Sequence, residues 1–398
     1  MHLTPETKSA LDFEPVRDDY LIFGSPRIEE DEIEEVVASL RSGWLGTGPK
    51  VAQFQSDFRD YFGSKHAIAL NSCTAGLHLS LLAAGIGPGD EVITTPLTFA
   101  ATANSIVHVG ARPVFADVEL PSMNIDPDAI EAAITPRTKA VIPVHFAGRP
   151  CDMSRILEIA RGHGLIVIED AAHAIESRYH GWKVGNIGDF TCFSFYVTKN
   201  IITGEGGMVT TNDDDWAEFI RIHSLHGLSK DAWKRYSDDG FKHYQVVAPG
   251  YKYNMMDIQA AIGIHQLKKI GQYHLRRREI WGRYDEAFAE LPVEIPPPEE
   301  PDTLHARHLY TLLLRLDEIG ASRDEFQERL HRMNIGTGIH FVALHLHPYY
   351  AETYEYCPED FPNALYVSER TISMPLSAKL TDSDVASVIE AVQRAIGA

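Results

Sequence analysis

Leu165-Ile-Val-Ile-Glu-Asp-Ala-Ala-His173 decides the fold of this chain. Its apolar run reads as a strand buried on both faces, because it lacks the alternation of a strand with one wet face. The same pattern recurs upstream in Ala140-Val-Ile-Pro-Val144, Pro113-Val-Phe-Ala116, Glu91-Val-Ile-Thr94 and Ala67-Ile-Ala-Leu70. Each run is separated from the next by room for a helix, with residues 75–84 and 99–109 reading as two of them. Gly87-Pro-Gly-Asp90, Asn124-Ile-Asp-Pro127 and Asn212-Asp-Asp-Asp215 supply the turns. Apolar strands joined by helical crossovers imply an α/β fold: a mostly parallel sheet covered on both faces.

The pattern changes after Asp257. Residues 257–291 read as one long amphipathic helix, closed by the Pro-rich, acidic stretch 296–301. A strand at 308–316 and helices at 323–333 and 382–395 then suggest a smaller α+β unit. The expected organisation is an N-terminal arm (1–30), a large domain (31–265), and a long helix with a small C-terminal domain (266–398).

Bulk properties narrow the function classes. The 398 residues are 44% hydrophobic and 23% charged, as in ordinary globular proteins. No apolar run reaches the roughly 18 residues of a membrane span, and residues 1–20 contain no signal-like apolar stretch. Cys73, Cys151, Cys192 and Cys357 are scattered, which fits a reducing cytoplasm and neither a disulfide scaffold nor a cysteine metal site. A net charge of −20 disfavours nucleic acid and acidic membranes as partners. Any anionic substrate must therefore be met by a local group of donors.

Three segments carry candidate chemistry. Asp170 ends its strand at the carboxyl edge of a parallel sheet, where α/β proteins bind ligands, although an aspartate there also serves as a cap or turn residue. In Asp189-Phe-Thr-Cys-Phe-Ser-Phe-Tyr-Val-Thr-Lys-Asn200 an aromatic β-type run delivers Lys199 just before Thr203-Gly-Glu-Gly-Gly207. A buried lysine has a depressed pKa suited to Schiff-base chemistry, whereas a snorkelling one would be inert. Asn71-Ser-Cys-Thr-Ala-Gly76 links a strand to a helix, so the amides of Thr74 and Ala75 can receive a phosphate; a simple Ser72 cap is the other reading. Lysine, carboxylate and phosphate cradle together are what pyridoxal phosphate requires. His340, His345 and His347 lack a cysteine or acidic partner, and no metal is expected there. Arg276-Arg-Arg278 reads as a solvated or interface face of the long helix. The P-loop-like stretch 43–50 is broken by Pro49.

Over nearly its whole length the chain resembles the DegT/DnrJ/StrS nucleotide-sugar aminotransferases, which share the fold-type I, aspartate-aminotransferase-like architecture. The resemblance lies in Ser42-Gly-Trp-Leu-Gly-Thr-Gly-Pro49, the stretches 71–77 and 85–94, Ile134-Thr-Pro-Arg-Thr-Lys139, Glu169-Asp-Ala-Ala-His173, Phe193-Ser-Phe-Tyr-Val-Thr-Lys-Asn200 and Gly250-Tyr-Lys-Tyr-Asn-Met-Met-Asp-Ile-Gln-Ala260. It implies that 31–265 is a pyridoxal-phosphate-binding domain in which Lys199 carries the cofactor and Asp170 faces its pyridine nitrogen. It further implies that His173 lies near the 3-hydroxyl and that Phe99 stacks on the ring. Ser72, Thr74, Ala75 and Ser194 hold the phosphate, with Asn254 reaching it from the neighbouring subunit of a homodimer. Cys73 stands where the family usually has Gly, and Gly76 where it has Ala; a left-handed turn at Cys73 would be strained. Gly250-Tyr-Lys-Tyr-Asn254 and Ile335-Gly-Thr-Gly-Ile-His340 most resemble enzymes that make UDP-4-amino-4-deoxy-L-arabinose. The implied reaction moves an amino group from L-glutamate, leaving 2-oxoglutarate, to a UDP-4-keto sugar. A sugar dehydratase, an amino-acid lyase or a non-enzymatic regulator on the same fold are the other readings. The dehydratase branch carries His in place of the lysine, and Lys199 disfavours it.

Overall fold

The computed structural model describes residues 13–229 and 245–397; the first twelve residues of the expected arm lie outside them. Seven strands form the central sheet: β1 (His66–Leu70), β2 (Glu91–Thr94), β3 (Arg112–Phe115), β4 (Thr138–Ile142), β5 (Ile166–Asp170), and, past the short hairpin β6 (Arg178–Tyr179) and β7 (Trp182–Lys183), β8 (Phe190–Ser194) and β9 (Gly207–Thr211). Their order is β1-β9-β8-β5-β4-β2-β3. All neighbours are parallel except the two pairings made by β9, so six strands run one way and β9 alone is reversed.

Both faces of this sheet are buried, as the unbroken apolar runs require. Ile68, Leu70, Ile168, Cys192 and Val209 pack on one side with the helix Cys73–Ala83. The intervening Ala67, Ala69, Phe193 and Met208 pack on the other with Phe54, Phe58 and Ile264. The period of two along each strand thus divides one sheet between two cores.

The helix Asp257–Phe288 runs 32 residues, about 48 Å at 1.5 Å per residue. Ala260, Ile264, Leu267 and Ile270 belong to the sheet core, while Ile280, Trp281, Tyr284 and Phe288 belong to a second core. That second core is built on an antiparallel sheet of β10 (Val293–Glu294), β12 (Tyr310–Leu314) and β13 (Thr371–Met374), covered by the helices Arg323–Arg332 and Asp382–Ile396. The strand β11 (Thr303–Leu304) pairs with β6. The long helix therefore joins the two cores rigidly. Its first residue, Asp257, also accepts the amides of Gly48, Lys50 and Val51 at 2.8, 3.1 and 3.0 Å. It thereby caps the helix Pro49–Phe62, whose own N-cap, Gly48, has no side chain to do so.

Two glycines bring the helix Cys73–Ala83 against the sheet. A Cβ on Gly76 would lie 2.8 Å from Val209, and one on Gly207 would lie 2.5 Å from the Cys73 amide nitrogen. Gly282, on the exposed face of the long helix, has open space around it. We expect Gly207→Ala to lower stability by about 1–3 kcal/mol through overpacking against backbone. Gly282→Ala should raise it by up to about 1 kcal/mol through helix propensity. Urea denaturation of the two variants checks both signs.

Candidate active site

The strand register brings the candidate residues to one edge. Asp170 pairs with Cys192, two residues before Ser194, and Ser194 in turn pairs with Gly207. On the other flank Gly207 pairs with Leu70, the last residue before the turn at Asn71 and Ser72. The carboxyl ends of β1, β5 and β8 thus meet at the edge where open α/β sheets bind ligands. Because Gly207 has no side chain, the Ser72–Cys73 backbone lies directly on β9.

Ser72 caps the following helix, its hydroxyl accepting the Ala75 amide at 3.1 Å. The Ala75 amide is thus engaged by the cap, and the amides of Cys73 and Thr74 at this helix start lie before the first intrahelical acceptor. Cys73 is the first helical residue and is absent from the positive-φ positions, so the substitution expected to strain the turn does not. Ser194 ends β8 with its hydroxyl accepting the Tyr196 amide at 3.4 Å. Asn254 lies beside Leu70, but its side chain donates to the Thr47 hydroxyl at 2.7 Å. The adjacent Tyr253 carbonyl accepts the Asn71 amide at 2.7 Å, so this segment braces the turn.

Asp170 is 5% exposed. Its Oδ2 accepts from Thr102 at 2.8 Å and its Oδ1 from the Ala172 amide at 3.1 Å. Thr98 pairs with Thr102 at 2.9 Å, extending the support. Burial pushes the Asp170 carboxyl above its ordinary range, against the pull of these donors and of Lys199. Below it lies a fully buried pair: His145 Nδ1 accepts the Cys151 amide at 3.0 Å, which assigns the proton to Nε2 and directs it to Glu169 at 3.0 Å. Glu169 also accepts from Gly188 and Thr191, at 2.8 and 2.7 Å.

Lys199 is not at the end of a strand as its sequence context suggests. β8 stops at Ser194, and Lys199 sits in the following turn, its amide donating to the Tyr196 carbonyl at 2.8 Å. Its half-buried side chain has its pKa lowered to about 8, chiefly by burial, with the Asp170 charge opposing.

Three imidazoles, His173, His308 and His340, feel the charge of this lysine. His173 and His308 have ring centroids 4.5 Å apart, and His173 also stacks on Phe341, 6.1 Å away at 15°. His340 donates or accepts through Nδ1 with Ser373 at 2.9 Å. Burial first, and then the Lys199 charge, lowers all three pKa values, that of His340 to about 3. His345 and His347 turn away to the carbonyls of Pro358 and Val342. Phe99, 66% exposed, presents a bare ring 6.5 Å from that of Phe341.

Sequence reasoning missed His308, Asn200, Glu176 and Arg277, which tie this cluster to the long helix. Arg277, read from sequence as part of a solvated or interface face, is 2% exposed and paired with buried Glu176. Only the position of a helix arginine four residues from Tyr273 and three from His274, both buried, hinted at this.

These residues fit pyridoxal phosphate. A lysine of depressed basicity faces a carboxylate, two helix amides are open, and His173 Nδ1 is buried with no hydrogen-bond partner, ready for a polar group of a ligand. The fold is that of the fold-type I pyridoxal-phosphate-dependent enzymes. The model of the DegT/DnrJ/EryC1/StrS aminotransferase family matches residues 26–393, and the chain belongs to that family. It is 53% identical over 378 residues to the spore coat polysaccharide biosynthesis protein SpsC of Bacillus subtilis, covering 95% of this chain and 97% of that protein. Among solved structures it resembles the PMP-form of the putative sugar aminotransferase Spr1654 of Streptococcus pneumoniae, with TM-score 0.87 and 34% identity over 95% of this chain and 98% of the other. It also resembles PseC of Helicobacter pylori, an aminotransferase involved in pseudoaminic acid biosynthesis, with TM-score 0.88 and 28% identity over 96% and 100%.

The lowered pKa has a direct consequence. Capture of Lys199 by a small aldehyde, read by mass spectrometry after borohydride reduction, should rise with pH about a midpoint near 8 and not the ordinary 10.5. Asp170→Asn should move that midpoint lower still, because Asp170 stabilises the ammonium. A midpoint above 10 in the parent protein would contradict the burial of this amine.

Proposed function

We propose that the protein transfers the amino group of L-glutamate to the ketone of a nucleotide-linked sugar, a UDP-4-keto sugar, using pyridoxal phosphate at Lys199. The observation that carries this reading is the half-buried Lys199, its pKa lowered to about 8 by burial and held up by the charge of buried Asp170. Support for a sugar substrate comes from the names of the relatives, among them a polysaccharide biosynthesis protein and a sugar aminotransferase. The product would serve a surface polysaccharide.

Bound pyridoxal phosphate supplies an electron sink for the negative charge that develops at the donor's Cα. Asp170, fixed by Thr102 and Ala172, holds a proton at the pyridine nitrogen. The Cys73 and Thr74 amides, with the hydroxyls of Ser72 and Ser194, receive the phosphate at the positive end of the helix. Phe99 covers one ring face, and His173 offers its unpartnered Nδ1 to the ring hydroxyl. The Lys199 amine takes the proton from the donor's Cα in the first half-reaction and returns one to the sugar carbon in the second. Neutral amine is available at modest pH because burial has lowered its pKa. Asn254, whose side chain donates to Thr47 of its own chain, would act on the partner subunit's phosphate in a homodimer with shared sites.

An absorption spectrum of the protein with pyridoxal phosphate, before and after L-glutamate, tests the reading. A visible band that shifts to the pyridoxamine form is expected; a band that glutamate leaves unchanged would refute the assigned donor. Lys199→Ala should abolish steady-state turnover while the far-UV spectrum stays native. Asp170→Asn should lose roughly a hundredfold in kcat.

A further inference from the structure

A chain of buried polar groups enters the Lys199 cleft from the long helix. Arg277 pairs with Glu176 through one carboxylate oxygen and donates Nε to the Arg307 carbonyl at 3.2 Å. The other carboxylate oxygen of Glu176 accepts from the Asn200 side-chain amide at 2.6 Å. That amide group also donates to the Ala306 carbonyl at 3.1 Å. A carboxylate and a carbonyl can only accept, so the Asn200 NH2 must face them and its Oδ1 must face the other way. Oδ1 lies 2.9 Å from His308 Nδ1. An amide oxygen cannot donate, so Nδ1 carries the proton and the lone pair of the neutral ring resides on Nε2.

Burial keeps His308 neutral, and Lys199 exerts the strongest charge effect upon it. Asn200 is also the residue after Lys199, so the same amide that sets the imidazole anchors the lysine's turn. We infer that Glu176, clamped by Arg277 and acting through Asn200, fixes His308 as its Nδ1–H tautomer, so that Nε2 is the ring's hydrogen-bond acceptor. Glu176 and Asn200 are positioning residues, and His308 is the group they set. The use made of the lone pair rests on the aminotransferase reading; the tautomer does not.

Nitrogen and carbon NMR of the full chain with isotope-labelled histidine reads the tautomer directly, His308 being assigned by the signal lost in His308→Gln. The Nδ1–H form is expected in the parent protein. Glu176→Gln frees the Asn200 amide to turn over, and Asn200→Leu removes the acceptor outright, so both should populate the Nε2–H form. Both should lower kcat about tenfold or more with KM changed less than about twofold, as expected when a histidine is held in the wrong tautomer. Asn200→Leu does not leave Arg277 without its carboxylate, so it serves if Glu176→Gln fails to fold. An Nε2–H or doubly protonated ring in the parent, or an unchanged ring in both variants, overturns the proposal. The expected tautomers in a protein that does not transaminate would refute the proposed function and leave this assignment standing.

Discussion

A half-buried lysine held up by the charge of a buried carboxylate is the constraint on which the rest of the molecule depends. Desolvation makes its charged form expensive, and the nearby Asp170 charge recovers part of that cost. The balance leaves Lys199 able to be ammonium or amine near neutrality, and such a balance survives only if neither group can move. Thr102 and the Ala172 amide hold Asp170, and beneath it the His145–Glu169 pair keeps the end of β5 in register with β8. Lys199 itself sits in a turn closed by the Tyr196 carbonyl.

The same rigidity extends to the second core. The helix Asp257–Phe288 buries one half against the sheet and the other against the C-terminal sheet, and Arg277 lies between the two groups of apolar contacts. A buried guanidinium needs full pairing. Glu176 and the Arg307 carbonyl supply it, and through Glu176 and Asn200 that pairing reaches the imidazoles around Lys199. Displacing the long helix would therefore unpair buried charge and disturb the catalytic edge together.

A chain of net charge −20 can still meet an anion through backbone dipoles. The start of the helix Cys73–Ala83 offers backbone N–H groups whose dipoles do not depend on side-chain charge. Gly207 is what lets this helix start lie on the sheet edge, since any side chain there would collide with the Ser72–Cys73 backbone. Gly76 allows the same approach one turn later, against Val209.

The sequence by itself determined the class of fold and the pieces of the site. Unbroken apolar strands admit only a sheet covered on both faces, and Asp170, Ser194 and the 71–76 turn had to emerge at one edge because parallel strands share their direction. These are local properties, readable from a few consecutive residues. What the tertiary structure decided are the pairings across long separations. The Ala75 amide is paired because the Ser72 hydroxyl caps its helix, a bond that local sequence left open between cap and cradle. Arg277 passed from an expected wet face to a buried clamp because Glu176, 101 residues earlier, lies opposite it. His308 joined the site because the stretch just before β12 hydrogen-bonds to Asn200 beside Lys199, 108 residues away in sequence. No period or motif encodes such contacts, since each depends on where two distant backbones come to rest and on which hydrogen-bond donor is left without water.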